Sequence, residues 1–316
     1  MLFLSTTVDG LQMGLCYAIL ALGVYISYSV LNFADLSVDG TFPLGGIVCT
    51  LLMLRLGISP IIAVVITFLS GLLAGTVTGI LHVKFKISDL LSGIIVMTAL
   101  LSVTLALTSL LTDLGNTTTI FSFRSKNLDG VFGGGLFSEL SGDARDWAII
   151  GVLVLFVIFF KLVIDLFLKT KLGYMLKATG NNPILVTTLG KDTGKYKILG
   201  LALANGFVSV SGAMYANLFM QYDNTCGSGK VVMALASVII GIAVFTRIKI
   251  FKDTTAVILG ALVYSLCLNY LVLVDKNGIY LKLLNAVMFA LILIFNEKVK
   301  NLTKRKKVAG EVSENA

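Results

Sequence analysis

The chain has 316 residues, of which 57% are hydrophobic and only 13% charged, and its mean hydropathy is +0.95. Soluble domains carry about 25% charged residues, so this apolar excess calls for a lipid bilayer as solvent and excludes a soluble enzyme, a disordered chain and a disulfide scaffold. The formal net charge of +8 sits in short stretches between apolar runs, where it orients spans rather than binding nucleic acid.

A spanning helix takes about 20 apolar residues. In chain order the candidates are 8–30, 41–56, 60–82, 90–112, 147–168, 197–219, 230–248, 254–274 and 279–296. The first ten residues hold no Lys or Arg, so the first run reads as a span and not as a cleavable leader. The second run is short, which suits a tilted, broken or partly re-entrant helix. The expected fold is an all-α polytopic membrane protein with about nine transmembrane helices, an inverted repeat and short broken helices.

Lys and Arg orient the spans. With the C-terminus cytoplasmic, the inner side holds Lys84 and Lys86, the lysines between 169 and 197, Arg247, Lys249 and Lys252, and the basic cluster between 298 and 307. The outer side holds Arg55, Arg124, Lys126, Arg145, Lys230 and Lys276. The bias favours nine spans with the N-terminus outside. Residues 1–300 then form the membrane domain and 301–316 a basic cytoplasmic tail. The outer loop 113–146 is rich in glycine and holds an amphipathic candidate at Val131–Leu140.

The inner loop 169–196 carries a local helix signal. Asn182 accepts from free first-turn N–H groups, and Pro183 suits the first helical position. Residues 184–189 fit about two turns, Gly190 is a natural stop, and Asp192 is placed to cap the next helix. A helix this short needs a surface to pack on, either its own membrane domain or a soluble partner.

The stretch Ala178-Thr-Gly-Asn-Asn-Pro183, followed by apolar residues to Leu189 and Gly190, resembles the cytoplasmic coupling segment of ABC-importer permeases of the branched-chain amino acid and simple-sugar (ribose-type) family. Asp35-Leu-Ser-Val-Asp-Gly40 is similar to the segment after the first span of the sugar permeases. Leu31-Asn-Phe-Ala34 is similar to that of the amino-acid branch. Asp39 departs from the pattern. The resemblance covers about residues 10–300. It implies a dimeric permease, homodimeric or paired with a second permease. Two cytoplasmic ATPase subunits would dock at Gly180, Asn181, Asn182, Pro183, Leu189 and Gly190. An extracytoplasmic binding protein would deliver a small polar solute, an amino acid foremost and an aromatic one among them, with sugars and nucleosides as alternatives. It implies a bacterial plasma-membrane location and no cofactor.

Residues 11–50 and 200–239 share a layout of Gly-rich span, polar knot and second apolar run. The knots are 32–40 and 221–229, and an offset of 189 aligns Gly40 with Gly229 while reversing the topology. Inverted repeats of this kind flank transport paths, and polar residues in spans mark them. The path candidates are Asn32, Asp35 and Asp39 at one end and Asn217, Gln221 and Asp223 at the other, with Asn205 and Asn269 behind them. Each is equally read as an interhelical hydrogen bond. Phe33 and Tyr222 are candidates to flank a narrow gate.

Other chemistry is absent from the pattern. Gly227-Ser-Gly-Lys230 lacks the preceding Gly and following Ser or Thr of a phosphate loop, so any ATP hydrolysis belongs to another polypeptide. His82 is the single histidine, no Cys/His cluster fits a metal, and Lys161 and Asp165 form an i,i+4 pair. The rival readings are an ion-coupled secondary transporter and a membrane scaffold or enzyme.

Overall fold

The fold comes from a computed structural model that describes residues 2–111, 120–122, 143–219, 221–246, 252–274 and 283–294. Val131–Leu140 and the tail 301–316 lie outside the described residues. Helix α1 (Leu2–Val24) ends in a π-helical turn over Tyr25–Val30. It is followed by α2 (Val38–Leu56), α3 (Pro60–Val83), α4 (Asp89–Ser109) and α5 (Asp143–Leu168). Two short helices, α6 (Lys171–Asn181) and α7 (Pro183–Thr188), lead into α8 (Thr193–Phe219), α9 (Lys230–Ile240) and α10 (Asp253–Val274). A last apolar helix, α11, covers Leu283–Ile294.

Among the described residues, eight helices are long and apolar enough to cross a membrane. They coincide with the first eight predicted spans. The ninth falls on α11, whose described part is shorter than a span. One short strand pair also forms: β1 (Ile120–Ser122) lies antiparallel to β2 (Gln221–Asp223), with Phe121 opposite Tyr222.

Burial separates the helices into two kinds. α1, α2 and α8 are buried almost all round, as helices at the centre of a bundle must be. α3, α4 and α5 present Leu73, Leu101 and Leu155 outward, which suits lipid tails. Glycines set the closest crossings. Gly71, Gly75 and Gly79 of α3 lie on Asn205, Leu201 and Ile198 of α8, and Gly10 and Gly14 of α1 lie on Leu266 and Leu262 of α10. Small residues let backbones approach where lipid offers no hydrophobic drive.

These contacts also fix directions. α3 and α10 run against α8 and α1, and α1 runs against α8, with Gly23 on Ala204. α2 runs alongside α8, with Gly45 on Ser209, whereas α9 runs against α10, with Gly241 on Ala256. The α1–α10 and α8–α3 crossings exchange under the repeat. Shifting Gly10 forward and Leu266 back by 189 gives Leu199 and Val77, between the observed Gly75–Leu201 and Gly79–Ile198 contacts. These two crossings are related as the inverted repeat expected from the sequence would relate them.

The Gly75→Leu substitution tests this crossing, because any side chain there runs into the Leu201 carbonyl. Destabilisation of about 3 kcal/mol is expected for overpacking at such a contact. It should appear as a lowered unfolding temperature of the detergent-solubilised protein, while Leu73→Ile on the outward face leaves that temperature within about a degree.

Candidate functional site

The two polar knots are chain breaks inside the bundle. The first follows the π turn. Leu31 packs against Gly180 and Gly200, and Asn32, exposed, takes a left-handed backbone with φ of 54°. From there the chain turns inward. Asp35 is only 5% exposed. The Ser37 N–H and hydroxyl donate to Asp35 Oδ1 at 2.9 and 2.6 Å, and Asn205 Nδ2 donates to Oδ2 at 2.7 Å. The Thr41 hydroxyl donates to Asn205 Oδ1 at 2.7 Å. Asn205 is central in α8, so this network lies midway along the bundle. The sequence reading had placed Asp35 near a span end. It missed Ser37 and Thr41, and ranked Asn205 second.

The second knot lies beside the first. Asp39, at the start of α2, accepts from the Gly229 and Val231 N–H groups at 3.0 and 2.7 Å. Those are first-turn donors of α9, whose own cap position is Gly229 at φ 81°. α2 and α9 start at this point and run in opposite directions. Tyr222 is buried against Gly46, and its hydroxyl donates to Asn224 at 2.5 Å. Phe33 is buried edge-on to the His82 ring, at 5.0 Å between centroids. The two gate candidates therefore sit on different knots.

Three of the other path candidates make their contacts elsewhere. Asn217, fully buried, donates to the Ala213 carbonyl of its own helix at 2.8 Å and to Cys49 Sγ of α2 at 3.3 Å. Asp223 accepts from its neighbour Thr225, N–H at 2.9 Å and hydroxyl at 2.8 Å, and caps its own turn. Gln221 lies in β2, its backbone paired with Ser122.

Next to Asp39 stands a residue that was read as an outer-loop charge. Lys230 is the first residue of α9 and is only 9% exposed. Its ammonium donates to Tyr17 Oη at 2.7 Å. It lies 4.3 Å from the Tyr17 ring centroid, 5.2 Å from that of Phe42 and 5.1 Å from that of Tyr215. No carboxylate lies within ion-pair distance of it among the described residues. The missed signal was its place at the start of an apolar run, directly after the polar knot 221–229.

At the opposite end of the bundle the inner loop folds as expected. Thr170 caps α6 by accepting from the Gly173 N–H at 3.2 Å. Asn182 caps α7 by accepting from the Leu185 N–H at 3.3 Å, with Pro183 in the first turn. Gly190 follows at φ 69°, a conformation only glycine adopts without strain. Asp192 accepts from the Gly194 N–H at 2.8 Å at the start of α8. Gly180 packs on the Val30 carbonyl, while Asn181, Asn182, Pro183, Leu189 and Gly190 are exposed. Val186 is buried, but Ile184, Leu185 and Leu189 are 73, 51 and 58% exposed.

Near this end Asp165 of α5 accepts from Lys161 and Lys252 at 3.4 Å and from the Thr254 hydroxyl at 2.7 Å. The pair with Lys161 was expected. His82 lies against Lys197, 3.0 Å from its ammonium. Among the described residues no cluster of His, Cys, Asp or Glu is arranged to hold a metal.

Known proteins match this arrangement in sequence. A family model described as branched-chain amino acid transport system, permease component, matches residues 6–307. A tyrosine transport system permease protein of Clostridioides difficile is 38% identical over 285 residues, 90% of this chain and 89% of that one. A ribose import permease protein of Escherichia coli is 24% identical over 281 residues, 89% of this chain and 82% of that one. A probable branched-chain amino acid transport permease of Methanocaldococcus jannaschii is 31% identical over 214 residues, 64% of this chain and 62% of that one. No solved structure matches. With apolar spans throughout and a match over nearly its whole length, the chain is an integral membrane protein and belongs to the permease components of branched-chain amino acid transport systems.

Proposed function

We propose that the chain is the membrane permease subunit of an ATP-binding-cassette importer and carries an amino acid, an aromatic one foremost. The cargo class follows the tyrosine permease relative. The reading places the N-terminus outside and the C-terminus in the cytoplasm of a bacterial plasma membrane, as the Lys/Arg bias favours. The working unit is a dimer, homodimeric by preference, with a cytoplasmic ATPase below each copy and a cargo-binding protein above.

The observation that carries this reading is α7. It is a single short helix, capped at Asn182 and stopped at Gly190, with Ile184, Leu185 and Leu189 exposed on its free side. Large apolar residues grouped on a rigid, capped element mark a docking surface. The basic residues around it, Lys169, Lys171, Lys177 and Lys191, fit the cytoplasmic side, where an ATPase is found. Asn32, Asp35, Asp39, Asn217, Gln221 and Asp223 are retained as path residues, with Asp39 the best placed because it stands where the two helix starts meet. ATPase closure moves the path only if the ATPase binds its two conformations unequally.

Leu185→Arg replaces an exposed apolar anchor with a charge on this helix. Co-purification of the ATPase and ATP-driven uptake should each fall roughly tenfold or more, with the permease still inserted and monodisperse. Unchanged uptake in this variant and in Gly190→Val would count against the docking role.

The ion-coupled alternative draws on Asp35, a carboxylate deep in the bundle. Its three donors from Ser37 and Asn205 hold it fixed along the path and satisfied, rather than free to take up and release a coupled ion. Uptake into proteoliposomes holding permease, ATPase and binding protein is expected to stop when ATP is withheld and to ignore an imposed pH gradient. Gradient-driven uptake without ATPase, abolished by Asp35→Asn, would favour the alternative.

A further inference from the structure

We propose that Lys230, held inside the ring cage of Tyr17, Phe42 and Tyr215 beside Asp39, is the group that recognises the carboxylate of the amino-acid cargo. The proposal rests on the importer reading above and adds the chemistry of its path.

An ammonium inside a membrane bundle is costly unless it serves a pathway or a partner. Lys230 has a neutral acceptor, Tyr17 Oη, and three ring faces, which leaves part of its hydrogen-bonding capacity unused. Its position at the start of α9 adds nothing to stability, because a helix N-terminus repels a cation. The same position suits an anion, and Asp39 already draws two of its N–H groups. The two charges are complementary to a zwitterion once the cage opens: its carboxylate would answer Lys230, and its ammonium Asp39.

The cage also has an aromatic way in. Tyr17 stacks on Tyr215 at 6.0 Å and 21°, and Tyr215 lies 4.6 Å from Phe219. Phe219 is 38% exposed at the end of α8. Rings therefore run without a gap from the surface to the ammonium, and a ring-bearing amino acid exchanges stacking partners along them. In the described conformation the cage closes on Lys230, and opening it hands the ammonium from the rings to the cargo.

Saturation-transfer-difference NMR on the permease–ATPase complex in lipid nanodiscs tests this, because it reads weak binding. L-tyrosine is expected to give a signal that 3-(4-hydroxyphenyl)propionate, with the carboxylate alone, competes away. Tyramine, with the ammonium alone, is expected to compete roughly tenfold more weakly or worse. Lys230→Met should remove the tyrosine signal and lower ATP-driven uptake by a similar factor, and Lys230→Arg, which keeps the charge, should retain both in part. Tyramine competing as well as the acid, an undiminished signal in Lys230→Met, or no tyrosine signal in the wild type would each overturn the assignment. The analogue pattern in the wild type decides the matter where Lys230→Met fails to fold. Uptake of tyrosine by wild-type proteoliposomes stands apart from these arms: its presence without the NMR pattern sinks this inference alone, and its absence for every amino acid sinks the importer reading.

Discussion

The contact between Asp39 and the first turn of α9 is the constraint on which the centre of this molecule depends. A helix that starts inside a bilayer has N–H groups that lipid cannot satisfy. Gly229, at the cap position of α9, has no side chain to offer. The acceptor therefore comes from another helix, across 190 residues of sequence. A cap contributes about 0.5–2 kcal/mol in water, and the loss is larger where no water replaces it. The same carboxylate opens α2, so one side chain holds the starts of two helices that run apart. That geometry brings both polar knots of the inverted repeat to one place.

The same contact explains how Lys230 is tolerated. Its ammonium sits at the unfavourable end of the α9 dipole and away from water. Asp39 offsets the dipole through the backbone, and three rings supply cation–π attraction of about 0.5–2 kcal/mol each. Together these make the cation bearable without an ionic partner among the described residues.

Local features were legible in the sequence, and distant pairings were not. The caps at Asn182, Gly190 and Asp192 act within three residues of themselves, so residue type and spacing were enough to place them. The long apolar runs placed eight spans for the same reason. Asp35 with Asn205, and Asp39 with Val231, join residues 170 and 192 apart, and one sequence carries no mark of which distant amide a carboxylate meets. Asp39 stood out as a departure from a family pattern and as a polar residue of the first knot, not by the helix start it meets. Lys230 was misread because charge counting treats any lysine between apolar runs as a loop residue, and a chain that breaks inside the bundle defeats that rule. Gln221 and Asp223 were chosen by the same polarity, but Asp223 caps its own turn.

The inner loop and the buried networks are joined by a short run of packed backbone. Gly180, two residues before the α7 cap, rests on the Val30 carbonyl at the end of the π turn, with no room for a side chain. Leu31 wedges against Gly200 of α8. Four residues on, Asp35 is fastened to Asn205 of the same helix. A displacement of α7 thus reaches the π turn through the backbone contact of Gly180 with Val30, and reaches α8 through the Leu31 side chain and the Asp35–Asn205 hydrogen bond, all of them tightly packed. π turns are wider and less well paired than α-helix and recur at functional sites. Tyr25 opens this one and is tied by its hydroxyl to Asp253 at the start of α10, at 3.4 Å. The π turn is therefore gripped from α6 on one side and α10 on the other, which makes it the natural element to change pitch when α6 and α7 move. A one-residue change of pitch at Tyr25–Val30 would rotate Asn32 and Asp35 relative to α8, and α2 would carry Asp39 with them. That would loosen the α9 start and the cage around Lys230 in one step.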